Sequence, residues 1–324
     1  MGIFTEAYYL LLIFWRNCFP AGNFKAEDVP DLSGRVAVVT GGNVGIGWET
    51  IKVLLQRNAK VYMASRSRQK AEAAIERLKT ETGKEAIFLE LDLGSLASVR
   101  RAASEFLSKE SELHILFNNA GVMGPPLDQL TSDGLDLQFG TNVIGHHLLT
   151  KLLLPALLAG VRSSPDQHAR VITTSSSGAM IGAIDFASVR DGPARRKYTK
   201  EALYAQSKLA NAIQARELAK RYGGEGIVAI SADPGSIETD LQRYYRDVPG
   251  IVGVLTHLFL KTILRPAPFG ALTQLWAGTM PEAINHNGKY AIPAARIAPC
   301  RAEAYDDELG KRVWEFLEEE VKEA

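Results

Sequence analysis

The sequence predicts an α/β fold in a single domain: a doubly wound parallel sheet of about seven strands with helices on both faces. Three observations lead there. Short apolar runs alternate with amphipathic stretches along most of the chain, the pattern of a parallel sheet covered on both sides. The first run, residues 36–39, enters the glycine-rich stretch Thr40-Gly41-Gly42-Asn43-Val44-Gly45-Ile46-Gly47, which has the form of a turn between a strand and a helix. The chain has 324 residues, which one such domain of about 250 residues plus extensions would use in full.

The elements follow in order. Residues 35–40 are the first strand, and 45–57 the helix that leaves the glycine turn. Residues 60–65 and 85–91 are the next two strands, separated by an amphipathic helix over 68–80. A helix over 96–109 leads to a fourth strand at 113–117, and a long helix over about 134–159 to a fifth at 171–175. A helix over 201–222 precedes the sixth strand, 226–231. A helix over 269–278 and a short strand at 289–292 close the pattern. The charged tail, 317–324, reads as a solvated helix end. Two connections break the rhythm: a polar insertion over 178–200, and residues 236–265 with the apolar stretch 251–264. Connections of this length are lids, binding loops or disorder, and the second is placed as a substrate lid bordering the site. Residues 1–29 form an N-terminal extension, and 30–324 the domain proper.

Composition narrows the function. The chain is 46% hydrophobic and 23% charged with zero formal net charge, ordinary for a globular protein and without the basic excess of a nucleic-acid binder. Its two cysteines, Cys18 and Cys300, cannot make a disulfide framework, and no Asn-x-Ser/Thr acceptor occurs; a cytoplasmic, reducing setting is expected. The adjacent His146 and His147 lack partners at metal-ligand spacing, so no metal is expected. The nine apolar residues 7–15 are too few to span a bilayer, which takes about 20. Two readings stay open there: a short helix packed on the domain, or an interfacial anchor giving peripheral membrane contact.

Two clusters carry chemistry. Gly41, Gly45 and Gly47 let the backbone turn tightly and let a pyrophosphate approach the first free N–H groups of the helix. A dinucleotide site of NAD type places a carboxylate about 20 residues further on, for the ribose hydroxyls. No Asp or Glu stands between Glu49 and Glu72. At the end of the second strand Ser65 is followed by Arg66 and Arg68. A guanidinium pairs with a 2′-phosphate that a carboxylate would repel, which favours NADP(H); alternatively the arginines only solvate a helix start. Downstream, Tyr204 and Lys208 are i and i+4 on one helix and share a face. A free phenol titrates near ~10, too high for efficient acid–base chemistry at neutral pH. A unit positive charge ~4 Å away at an effective dielectric of ~20 contributes ~4 kcal/mol, enough to bring the phenol near 7, and Lys208 and an oxidised nicotinamide are the charges available. A Tyr-x-x-x-Lys pair also occurs by chance on many helices.

Taken in this order, Thr40–Gly47, Asn118-Asn119-Ala120-Gly121, Tyr204-Ala205-Gln206-Ser207-Lys208 and Pro234-Gly235-Ser236-Ile237-Glu238-Thr239 resemble the short-chain dehydrogenase/reductase family, over roughly residues 30–311. The contexts Ser207–Asn211 and Val61–Arg66 are most similar to its retinol-dehydrogenase and WW-domain-oxidoreductase branch and to fungal members. The resemblance implies a Rossmann fold and an oxidoreductase that interconverts a ketone or aldehyde and an alcohol, on an apolar small molecule, by hydride transfer with NADP(H). It implies that Tyr204 is the catalytic acid–base and that Lys208 supports it and holds the nicotinamide ribose. It places the catalytic hydroxyl on Ser176, with Ser175 and Ser177 one residue off. Asn142 matches an asparagine that anchors a proton-relay water; otherwise it is a satisfied buried amide. On the cofactor side the resemblance assigns Gly41, Gly45, Ile46, Gly47, Arg66, Asp92, Leu93, Asn119, Ala120, Tyr204, Lys208, Pro234, Gly235, Ile237 and Thr239. Asp92 would bond the adenine amine, or else cap the following helix. A homo-oligomer is open, and so is a second class of function: a catalytically silent protein that binds NADP as a redox sensor. Intact Ser176, Tyr204 and Lys208 argue against the second.

Overall fold

The computed structural model describes residues 3–238 and 264–322, with side chains from residue 6 onward. The expected lid over 236–265 lies outside the described residues except at its two ends, and Thr239 lies outside them as well.

Eight strands form one sheet in the order β3-β2-β1-β4-β5-β6-β7-β8. They are β1 (Val36–Thr40), β2 (Lys60–Ser65), β3 (Ile87–Glu90), β4 (Ile115–Asn118), β5 (Ala169–Thr174), β6 (Ile227–Ala232), β7 (Tyr290–Ile292) and β8 (Arg296–Ile297). All neighbours are parallel except β7 and β8. The strand beyond the expected seven is the two-residue β8, too short to leave a pattern in sequence. β1 is buried at all five positions, and its residues alternate between two cores. Val36 and Val38 enter one apolar cluster, Ala37 and Val39 the other. A strand covered on both faces needs apolar residues at every position, which is why it reads as a continuous run.

The helices are α1 (Ile3–Cys18), α2 (Gly45–Gln56), α3 (Arg68–Thr82), α4 (Leu96–Lys109), α5 (Leu137–Ser163), α6 (Lys200–Tyr222), α7 (Ala267–Thr279) and α8 (Asp307–Glu320). Side chains fix their starts. Ser67 caps α3 by accepting the Lys70 N–H, and Ser95 caps α4 by accepting the Ser98 N–H. Helix α5 is apolar and long enough to cross a membrane, yet it packs in the core beside β5, and it opens with a π-helical turn at Gly140–Ile144.

Two regions differ from the sequence reading. The charged tail is not a solvated end: α8 starts at Asp306, whose carboxylate caps it, and buries Val313 and Leu317 in the core. The polar insertion over 178–200 is no loose lid either. Arg195 is buried there and ion-paired to buried Asp136 at 2.9 Å, and Asp136 in turn accepts the first N–H groups of α5. A buried charge left unpaired would cost several kcal/mol, so this pair pins the insertion to the start of α5.

Candidate active site

The strand order reverses between β1 and β4. The turns after these strands therefore border one crevice at the carboxyl edge of the sheet, where ligands of doubly wound folds bind. The first turn carries Gly41 (φ 65°) and Gly45 (φ 58°), both in the left-handed region that favours glycine. A Cβ on Gly47 would collide with the Gly41 carbonyl and the Asn119 side chain. The backbone here leaves room for a group to lie against the start of α2, which is the cradle a pyrophosphate needs.

Thr40 joins this turn to the one after β4. Its Oγ1 accepts the N–H groups of Asn119 and Ala120, both at 2.9 Å, and Asn119 Nδ2 donates to the Thr40 carbonyl at 2.8 Å. Thr40 Oγ1 also lies 2.8 Å from His146 Nε2, while His146 Nδ1 lies 3.0 Å from the Asn142 carbonyl. A carbonyl only accepts, so Nδ1 carries the proton and Nε2 takes the threonine proton. Burial pushes His146 down to about 4 and keeps it neutral. His146 is thus the link between the glycine turn and the kinked start of α5, a role the sequence reading missed.

At the end of β2, Ser65 is buried and its Oγ has no hydrogen-bond partner among the described residues. Arg68 is engaged by Glu72, Glu90 and the Phe88 ring. Arg66 is exposed and makes no hydrogen bond or ion pair among the described residues. An orphaned hydroxyl beside an uncommitted guanidinium fits a phosphate. Asp92 does not cap α4, since Ser95 does; its Oδ1 accepts the Gly94 N–H at 2.9 Å. Leu93 is buried in the core against Gly145. On the far side, Ile46 and Ile237 meet over Gly270 of α7, and Pro234 is buried beneath them in the turn after β6.

The catalytic candidates converge at the end of β5. Ser175 Oγ is turned inward and donates to the Lys208 carbonyl at 2.7 Å. Ser176 Oγ instead faces Tyr204, to which it is hydrogen-bonded, and accepts the Gly178 N–H at 3.1 Å. Of the adjacent serines, 176 is the one presented to the phenol. Lys208 is buried; its Nζ donates to the Thr174 carbonyl at 2.9 Å and lies 5.7 Å from the Tyr204 ring centre. Asn142 makes three side-chain bonds, giving two hydrogens to the Val122 carbonyl and Ser207 Oγ and accepting the Val122 N–H. It is therefore a satisfied amide that locks the turn after β4 to α5 and α6, and its side chain is not available to hold a relay water.

Electrostatics depart from the expectation. Burial, with the charge of Asp233 added, pushes the Tyr204 phenol up to about 12, against the hydrogen bond from Ser176. Burial brings Lys208 down to about 8. In the protein alone burial dominates the phenol, Lys208 Nζ is directed to the Thr174 carbonyl, and Tyr204 is protonated at neutral pH. Two further residues escaped the sequence reading. The buried carboxyl of Asp233, raised by burial, accepts the Gly235 N–H at 2.9 Å. The Tyr290 hydroxyl donates to the Ser176 carbonyl at 2.8 Å. Asp233 stands directly before the Pro-Gly pair, a position that could have been flagged; Tyr290 left no local signal.

Known proteins resemble this chain over most of its length. A family model described as short chain dehydrogenase matches residues 35–249. A short-chain dehydrogenase/reductase of Armillaria gallica is 54% identical over 303 residues, covering 94% of this chain and 95% of that protein. Retinol dehydrogenase 11 of Mus musculus is 36% identical over 285 residues, covering 88% and 85%. Among solved structures, the Pseudomonas aeruginosa RhlG/NADP active-site complex superimposes with a TM-score of 0.65 at 26% identity, covering 82% of this chain and 96% of that one.

Proposed function

The chain belongs to the short-chain dehydrogenase/reductase family, and on that premise we propose that it is an NADP(H)-dependent oxidoreductase interconverting an apolar ketone or aldehyde and its alcohol. One observation carries the reading: Ser176 Oγ and the Tyr204 hydroxyl meet at the crevice, with Lys208 buried behind them. When bound, the nicotinamide supplies or accepts the hydride. The chain's residues do the rest. Ser176 and Tyr204 hold the carbonyl oxygen between two hydroxyl donors. Tyr204, protonated at neutral pH, delivers the proton that oxygen needs in reduction and takes it back in oxidation. Lys208, brought to about 8, keeps a positive charge beneath the pair at neutral pH. Arg66 and Ser65 would hold the 2′-phosphate, and Gly41, Gly45 and Gly47 the pyrophosphate. The NADP named in the Pseudomonas aeruginosa complex supports the cofactor choice, and the name retinol dehydrogenase among the relatives supports an apolar substrate. The test is NADPH oxidation against a panel of ketones and aldehydes of increasing apolar length. Consumption with apolar members is expected; NADPH binding with no turnover across the panel would indicate a silent cofactor-binding protein instead.

The outer face of α1 favours peripheral membrane contact for an otherwise cytoplasmic protein. Leu11 is 69% and Trp15 62% exposed, with Tyr8, Leu10 and Phe14 beside them. Flotation with lipid vesicles and release by carbonate is the expected behaviour. A requirement for detergent would contradict it.

A further inference from the structure

Helix α1 exposes Tyr8, Phe14 and Trp15 and buries Arg16 and Asn17, each only 8% accessible. Buried polar groups need partners, and these two find theirs on the loops of the active site. Asn17 Oδ1 accepts the Ser236 N–H at 2.9 Å, across 219 positions of sequence. The other end of the same amide donates to the Ile13 carbonyl at 2.8 Å, which fixes its orientation, since a flipped amide would face donor to donor. Arg16 gives two hydrogen bonds to the Pro299 carbonyl, both at 3.0 Å, and touches Met180 Sδ at 3.3 Å in the turn that follows Ser176.

Ser236 is therefore gripped from both sides. Its carbonyl accepts the Arg265 N–H at 2.8 Å, while Asn17 holds its N–H. The preceding amide, Gly235, is held by Asp233. Gly235 has φ 85°, and a Cβ there would lie 2.8 Å from Pro293 Cγ and 3.4 Å from Asn17 Oδ1, so the turn is packed as well as bonded. Ile237, the next residue, packs beside Ile46 of the glycine turn over Gly270. Two consecutive amides thus depend on side chains, one from the strand end and one from the N-terminal helix.

We propose that α1 is a clamp on the turn after β6, with Asn17 a positioning residue for cofactor binding through the Ser236 amide. The binding half of this inference rests on the reading of that turn as the nicotinamide side of the site. The test uses the full chain and its Asn17→Ala and Asn17→Asp variants. Aspartate keeps an acceptor for the Ser236 N–H and alanine does not. Amide hydrogen exchange at Ser236, in protein without cofactor, should quicken in Asn17→Ala and stay slow in Asn17→Asp. NADPH affinity, read by cofactor fluorescence, should weaken about five- to tenfold in the alanine variant, the loss expected for one hydrogen bond. The aspartate variant should bind NADPH more tightly than the alanine variant, although its second oxygen then faces the Ile13 carbonyl, and turnover at saturating NADPH should change little. Should Asn17→Ala not fold, Asn17→Ser, too short to reach Ser236, is read the same way. Unchanged exchange and affinity in the alanine or serine variant would overturn the clamp. Wild type that fails to bind NADPH would overturn the cofactor reading instead, with the exchange result still deciding the clamp.

Discussion

The two sides of the crevice are made differently. Beside β1 and β4 the site is mostly backbone: a glycine turn, the first turn of α2, and amides held by Thr40 within the same layer. Beside β5 and β6 it is mostly side chains brought from far apart, with Tyr290 on the Ser176 carbonyl and Asn17 on the Ser236 amide. The first side fits a ligand by leaving space. The second performs chemistry by orienting hydroxyls. Space is specified by consecutive residues, whereas orientation here depends on contacts over a hundred positions apart.

Each side can be broken separately. The largest effect on the first side should come from Gly47→Ala. Its added Cβ meets the backbone of Gly41, which cannot swing away, so NADPH affinity should fall about a hundredfold or more, on the order of 3 kcal/mol. Isothermal titration measures this, and binding within threefold of wild type would deny the cradle. A smaller change should follow from Ser65→Asp with Arg66→Ala. That pair removes a phosphate partner and adds a ribose acceptor, so the ratio of NADPH to NADH affinity should drop about tenfold or more. A wild type that already prefers NADH would show that the end of β2 has been misread.

A further effect, read in stability rather than affinity, falls on the joint between the two sides. His146→Leu leaves the Thr40 hydroxyl only the longer bond to the Phe117 carbonyl at 3.3 Å and removes the imidazole from the Asn142 carbonyl, at a cost of about 1–3 kcal/mol in urea unfolding. The histidine also sets a pH response. Its folded value, about 4, lies below its ordinary 6.5, so the unfolded chain binds the extra proton and stability falls as pH drops from 6.5 towards 4. That part of the acid loss should be missing in His146→Leu. An identical acid profile in both proteins would mean His146 is not the buried neutral link described.

Legibility in the sequence followed the same division. The alternation of apolar runs and helices gave the sheet, because strands buried on both faces have no polar positions to blur the pattern. The glycine turn, Asn119, Ala120 and the Tyr204–Lys208 pair were legible because each is a local spacing. Ser176, expected from its position after β5, is the serine hydrogen-bonded to Tyr204. What could not be read is what depends on packing. The phenol was expected near 7 beside positive charge, and in the protein alone burial pushes it up to about 12. For Asn142 a water anchor and a satisfied buried amide were both open, and only the fold shows its amide bonded to Val122 and Ser207. The N-terminal run was read as a short apolar helix at 7–15; the inward pair Arg16 and Asn17 lies just past it, and only the fold shows what they hold.

The central claim is that the Tyr204 hydroxyl carries turnover and contributes little to NADPH affinity. It is tested most directly by measuring NADPH affinity and the rate of carbonyl reduction in the same preparation of Tyr204→Phe. Phenylalanine keeps the ring and removes only the proton donor. The predicted result is a rate lower by about a thousandfold or more with NADPH affinity within twofold of wild type. A Tyr204→Phe protein that reduces its substrate within tenfold of the wild-type rate would contradict the account.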